Sequence, residues 1–434
     1  MVSHYYEQLL SVIKHAISSS TDSRSSIGPP AASCGSQVVT TGLKHSKKAW
    51  YAYGAALGKF EKYIEPEIGA AVRNVELAYA DIYYQLYKIG RQPETSRPTV
   101  MVCCTDSGVR QEVEGLIRKS GIFDQHLEFR LEARALLLEQ PEPARLLYGP
   151  REPTKKGPKN APLGLRIGTL NTLDGRSKPL YSTGGVVVQI GEDFYQMTVK
   201  HAFERIEARS SQASSPSRGK RYPGHGPHEW AYVARSSEEE RILRGDKSSP
   251  RLDYVLLPLR VRPVDANMAR VKDRSSASEL YTKTVMDIPP RPWKVVAVTG
   301  SSGALHGTLL PGPAYLRAAN SHFIQKLYIV QLQGTVVEGD SGSAVLDEET
   351  GGLYGHIVRG CPNTGTVYIG PAGPIFDDLK RRFHNKAVGI AQWRKNDGVR
   401  TIDPVRRIAI IILGISIVFA VLVSLQSLYL TILA

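Results

Sequence analysis

Cysteine is scarce in this chain, with four in 434 residues, at Cys34, Cys103, Cys104 and Cys361. Two are adjacent and none repeats at metal-ligand spacing, so the chain reads as neither a disulfide scaffold nor a zinc module, and no metal or cofactor is expected. Acidic residues are also few, 41 against 55 basic, which leaves a net charge of +14. Such an excess suits nucleic acid, an acidic membrane surface or acidic ligands. A basic-aromatic stripe and zinc-finger spacing are both missing, so no nucleic-acid partner is expected. The opening residues, MVSHYYEQLLSVIKHAISSS, lack the continuous apolar core of a secretory leader. A reduced, cytosolic compartment is expected.

What is present divides the chain into stretches of different character. Residues 1–48 pair a short amphipathic segment, Tyr5–Ile17, with a Ser/Thr/Gly/Pro-rich run that cannot supply a core, and read as a mostly disordered tail. Residues 49–148 read as helical plus a small α/β unit. Helical spacing runs through LGKFEKYI and AAVRNVELAYADIYYQLYKI, which predicts a Tyr-rich helical face packed on the next unit. Strand, helix and a second strand or helix are expected over Arg97–Pro143, and the turn CTDSG, with one glycine, is no phosphate loop. A Pro/Gly/Lys-rich linker, 149–163, follows. Short β-runs with turn signals then fill 164–390, the pattern of an all-β sandwich or barrel. A basic juxtamembrane segment, 391–407, leads into an uncharged apolar run from Ile408 to Leu430, long enough to cross a bilayer core of about 30 Å. A single-pass C-terminal tail anchor with the N-terminal part cytosolic is expected, and the membrane is one expected partner.

Chemistry concentrates around GTVVEGDSGSAVL, Gly334–Leu346. A serine between glycines can hold its hydroxyl out of the backbone. The N–H groups of Gly339 and Ser341 can then converge on one oxygen as an oxyanion hole. Upstream, His201 ends a β-patterned run and Asp253 opens another, 52 residues later and 88 residues before Ser341. The order His, Asp, Ser is that of the chymotrypsin type, where the separations are about 45 and about 93.

These three contexts, STGGVVVQIGEDFYQMTVKHAF, LDYVLLPL and EGDSGSAVLDEETGGLYGHIVRG, resemble the trypsin-like (chymotrypsin-fold) serine peptidase superfamily over about residues 163–385. More narrowly, the chain is similar to a group of fungal intracellular proteins whose degenerate peptidase domain carries GD(S/C)GS followed by LYGHIV. The resemblance implies a mainly β fold. It implies a two-barrel peptidase domain, which the residue patterns above would place after a helical/α+β region and before a transmembrane helix. It also implies catalytic roles for His201 as general base, Asp253 as its orienting group and Ser341 as nucleophile. Thr335 stands where members selective for basic residues carry an aspartate, so selectivity for Lys or Arg is not implied. His356, Arg359 and Gly360 fall at the expected pocket wall, where the two basic side chains would favour an acidic or C-terminal carboxylate group; the alternative for His356 is a place facing the core. In secreted relatives Asp340 receives a new N-terminus after activation cleavage. No activation site precedes GGVVV here, so Asp340 needs another partner.

Two functions follow as expectations. One is a membrane-anchored serine endopeptidase acting on protein or peptide substrates through an acyl-enzyme. The other is an inactive peptidase-like domain that binds peptides as a membrane-tethered scaffold.

Overall fold

Strands buried on both faces account for most of the architecture. The computed structural model describes residues 34–38, 43, 47–76, 79–147, 163–173, 176–202, 252–259, 267–272, 277–319 and 321–392, with backbone alone at 36, 168–173, 176–180, 272 and 277–278. The N-terminal region contains β1 (Cys34–Gln37), β2 (Lys48–Ala52), α1 (Gly54–Lys59), a π-helical turn (Phe60–Ile64) and α2 (Glu65–Asn74). It continues through β3 (Ile82–Gly90), β4 (Arg97–Cys103), α3 (Ser107–Lys119), α4 (Ile122–Gln125), β5 (Arg130–Arg134) and β6 (Arg145–Leu146). Pro66 sits in the first turn of α2, where its missing N–H costs nothing. Asp106 caps α3 by accepting a hydrogen bond from the Val109 N–H at 2.9 Å.

The Tyr-rich stretch expected as helix is instead the strand β3. Ile82, Tyr84 and Leu86 enter the core beneath the helices, while Tyr83, Tyr87 and Ile89 enter another on the opposite face. A strand with two apolar faces shows no alternation of apolar and polar residues, and the alternation is what distinguishes a strand from a helix in sequence.

The second half contains β7 (Arg166–Leu173), β8 (Arg176–Thr183), β9 (Val187–Ile190), β10 (Asp193–Thr198), β11 (Val255–Leu259), β12 (Met268–Lys272) and β13 (Ala277–Tyr281). After them come β14 (Trp293–Thr299), β15 (Gly303–Arg317), β16 (Ile324–Leu332), β17 (Ala344–Asp347), β18 (Leu353–Gly360), β19 (Thr366–Pro371), α5 (Ala372–Arg382) and β20 (Val388–Ile390). Six of these strands close a barrel, in the order β14, β15, β16, β19, β18, β17 and back to β14. Its interior takes alternate residues: Val295 and Ala297 point in, whereas Val296 and Val298 join the core outside. Where the resemblance implies a second barrel, the described residues form the sheet β11-β10-β9-β20 and the hairpins β7–β8 and β12–β13.

The barrel and the N-terminal region share one sheet. The far half of β15, Ala314–Arg317, pairs with Gln85–Ile82 of β3 beyond a bulge at Leu309–Pro313. Arg317, 1% exposed, reaches across to donate to the Val72 carbonyl at 2.5 Å. Between β5 and β6 the chain crosses this junction. There Glu139 accepts from the Tyr87 hydroxyl at 2.7 Å, and the Cys361 thiol donates to the Glu142 carbonyl at 3.4 Å. Apart from Leu163, the linker at 149–163 lies outside the described residues, as do most of 1–48 and the 408–430 run. Among the described residues, no helix is long and apolar enough to cross a membrane.

Burial pushes the Glu139 carboxyl up to about 7, against the opposing hydrogen bond from Tyr87. The folded state therefore holds a proton that the unfolded chain, titrating near about 4.3, has released. This contribution to stability is complete below about 4.3 and is lost as pH rises through about 7. Urea denaturation of the wild-type chain should show stability falling over that window, and Glu139→Gln should remove this component of the slope.

Candidate active site

His201 and Asp253 come together at one end of the β11-β10-β9 sheet. β10 delivers His201 at its end, and β11, paired with β10 from Thr198↔Val255, starts two residues after Asp253. The His201 Nδ1 and Asp253 Oδ2 are in direct hydrogen-bond contact. The other carboxylate oxygen accepts the backbone N–H groups of Lys200 and His201, each at 3.0 Å. An ionised Asp253 accepts from Nδ1, which leaves Nε2 as the basic nitrogen. Burial alone would raise the Asp253 pKa, but the His201 charge and hydrogen bonds, with His356 behind them, hold it well below the usual carboxylate range. The neighbouring Tyr254 hydroxyl donates to Asp378 of α5 at 2.6 Å, which fixes the loop that carries Asp253.

Ser341 is tied to the same place by two routes. Along β18, the His356 Nε2 bonds the Asp253 carbonyl oxygen at 2.8 Å. Two residues on, the Val358 carbonyl accepts from the Ser341 hydroxyl at 3.3 Å. The second route runs through Thr198, three residues before His201. Its hydroxyl donates to the Thr183 carbonyl at 2.8 Å. Thr183 in turn donates its N–H to the Ser341 carbonyl at 2.7 Å and its hydroxyl to the Gly339 carbonyl at 2.6 Å. The turn needs its glycines: Gly339 has φ +103° and Gly342 φ +94°, and a Cβ on Gly342 would collide with the Thr183 carbonyl.

Asp340 finds the partner it lacked in sequence. Ser301, in the β14–β15 turn, donates its hydroxyl to Oδ2 at 2.8 Å and its N–H to Oδ1 at 3.1 Å. The Val337 N–H adds a third bond at 2.9 Å. Asp340 is fully buried, and burial outweighs these donors, so its pKa is raised. With Asp340 held, the N–H groups of Gly339 and Ser341 do converge on one acceptor, at 2.7 and 3.1 Å.

That acceptor is the carbonyl of Leu147, from the chain's own N-terminal region. The Leu147 N–H also donates to the Ser341 hydroxyl at 3.0 Å, and the two preceding residues pair antiparallel with β18. Ser341 is fully buried beneath this segment. Nothing in the Ala144–Tyr148 sequence marks it for such a place; its partner lies 194 residues away.

The expected pocket residues separate. Gly360 lies against Leu147, and a Cβ there would stand 2.8 Å from Leu147 Cδ1. Thr335 is exposed, while Val336 beside it packs in the cluster that holds Leu147. His356 faces Asp253, and burial lowers its pKa despite the opposing Asp253 charge. Arg359 is ion-paired with Asp81. Each basic side chain has one of its nitrogens engaged, His356 Nε2 with the Asp253 carbonyl and Arg359 Nη1 with Asp81.

Several bacterial proteases resemble this chain in structure. Thermobifida fusca Protease A matches at 12% identity with a TM-score of 0.31, over 53% of this chain and 98% of that one. The Nocardiopsis protease matches at 12% and 0.33, over 53% and 98%. The Cellulomonas bogoriensis chymotrypsin matches at 15% and 0.29, over 53% and 97%. No family model and no curated protein sequence matches the chain. The fold of the described residues is mainly β, with a six-stranded barrel.

Ser301→Ala removes one hydrogen bond to a buried carboxylate, which is worth about 1.5–3 kcal/mol. Thermal unfolding should register a loss of that size. A melting curve identical to wild type would show that Asp340 is held without Ser301.

Proposed function

We propose that this chain is a serine endopeptidase that hydrolyses peptide bonds through an acyl-enzyme. The observation that carries this reading is the pair of N–H donors, Gly339 and Ser341, at 2.7 and 3.1 Å from a peptide carbonyl with the serine hydroxyl beside it. Donors at about 2.7–3.1 Å are what a developing oxyanion requires. In this reading Ser341 attacks, His201 takes the proton through Nε2 and passes it to the leaving amine, and ionised Asp253 holds the ring and stabilises the imidazolium. The apolar surroundings of Leu147 support a preference for an aliphatic residue on the acyl side of the cut bond. The apolar run Ile408–Leu430 supports a membrane tether for the peptidase, with the catalytic half on the cytosolic side.

A second reading is favoured by one observation: in the intact chain the hole is already filled. A peptidase fold that only holds peptides, its own segment included, would look the same at rest. The two differ in reactivity. The full chain carrying Leu147→Asp, which sets an unpaired carboxyl against an apolar pocket and so opens the hole, should react covalently with a serine-directed phosphonate at Ser341. Adding His201→Ala or Asp253→Asn should slow labelling by about 10⁴-fold. A folded Leu147→Asp chain that never labels would leave the peptide-binding reading in its place.

A further inference from the structure

Four cations share one pocket at the end of the N-terminal sheet, and none of its lining belongs to the serine site. The pocket, about 150 Å³, is lined by Lys47, Arg91, Arg97 and Arg130 together with Thr95. Strand register puts them there. Ala49 of β2 pairs with Ile89 of β3, and Ile89 pairs with Arg97 of β4. Thr99, two residues on, pairs with Arg130 of β5. Residues two apart on a strand share a face. Ala49, Ile89 and Met101 on this face enter the core, and Arg97 and Arg130 continue it where it meets solvent. Lys47 stands just before β2, and Arg91 just after β3. All four cations are exposed.

Like charges on one sheet face cost stability, and nothing among the described residues offsets that cost here. No carboxylate lines the pocket, and no hydrogen bond or ion pair joins the four side chains to another described residue. Glu94 and Glu132, close by in the chain, line no part of it, and Glu128 is ion-paired with Lys59. Elsewhere in the region, Lys59 and Arg118 each hold a carboxylate partner.

We propose that this pocket binds a phosphate group, carried either by a small soluble anion or by a lipid headgroup. Three of the four cations are arginines, whose planar guanidinium takes phosphate oxygens in pairs. A carboxylate would bring one negative charge, whereas a phosphomonoester brings about 1.5–2 at neutral pH. The bound anion gains charge-assisted hydrogen bonds and relieves the repulsion among the four side chains. This site stands without the peptidase reading, and its test leaves Ser341 untouched.

The test titrates the full-length chain, held in detergent micelles, with inorganic pyrophosphate and with inositol trisphosphate by calorimetry. Flotation then compares phosphatidylcholine vesicles with and without phosphatidylinositol bisphosphate. Binding should weaken as salt is raised. Each cation removed should cost about fivefold, so Arg97→Gln with Arg130→Gln should lose about 25-fold. Without ligand, that double variant should melt no lower than wild type, because it loses only repulsion. Binding of the soluble probes supports the site with a free anion as its source. A gain from the phosphoinositide over phosphatidylcholine alone, lost in the double variant and without soluble binding, supports it with a headgroup as its source. If neither the soluble probes nor the phosphoinositide bind, or if the double variant binds them as tightly as wild type, the proposal is overturned.

Discussion

Every residue of β18, Leu353–Gly360, is buried, and that constraint organises the molecule. A strand with no solvent face must satisfy every backbone group and pack every side chain. β18 does so by pairing with β17 and β19 in the barrel and with β6 at its end. Its side chains then work in both directions: His356 reaches Asp253, and Arg359 reaches Asp81 in the N-terminal region. Its Val358 carbonyl receives the Ser341 hydroxyl. One strand therefore contacts Asp253, the Ser341 hydroxyl and the β6 segment together.

The serine turn is stabilised from three sides. Thr183 braces its carbonyls, Ser301 and the Val337 N–H hold Asp340, and Leu147 occupies its N–H groups. Left uncovered, the converging Gly339 and Ser341 N–H groups would have no acceptor but water. A carbonyl supplied from within the chain satisfies them at high effective concentration. The burial of Ser341 and the pairing of these two N–H groups are thus two aspects of one contact. The N-terminal region contributes to the site itself, and it shares a sheet with the barrel through β3 and β15.

Much of this architecture was legible in local pattern. The β-runs from LRIGTL to TVYIGPAG are strands, and RPTVMVCC, SGVRQEVEGLIRK and RLEAR form strand, helix and strand, with β4 and β5 parallel. The failures share a cause. IYYQLYKIG read as helix because its two apolar faces erase the period of two. The position of His356 and Arg359 along the strand was legible, but their contacts with Asp253 and Asp81 were not, because those residues come from distant segments. Thr335 read as a pocket residue by position, but the neighbouring Val336 is the one that turns inward.

By itself the sequence determined the order and local setting of His201, Asp253 and Ser341, the glycines that let the serine turn form, and the β character of the second half. These are short-range properties, carried by side-chain period and backbone freedom over a few residues. Only the tertiary structure decided that Ser301 holds Asp340, that His356 stands behind Asp253, and that the Gly339 and Ser341 N–H groups meet the Leu147 carbonyl. Each of those contacts joins residues 39 to 194 positions apart. Pairings at that separation depend on which sheets share an edge, and no local pattern in the chain encodes that.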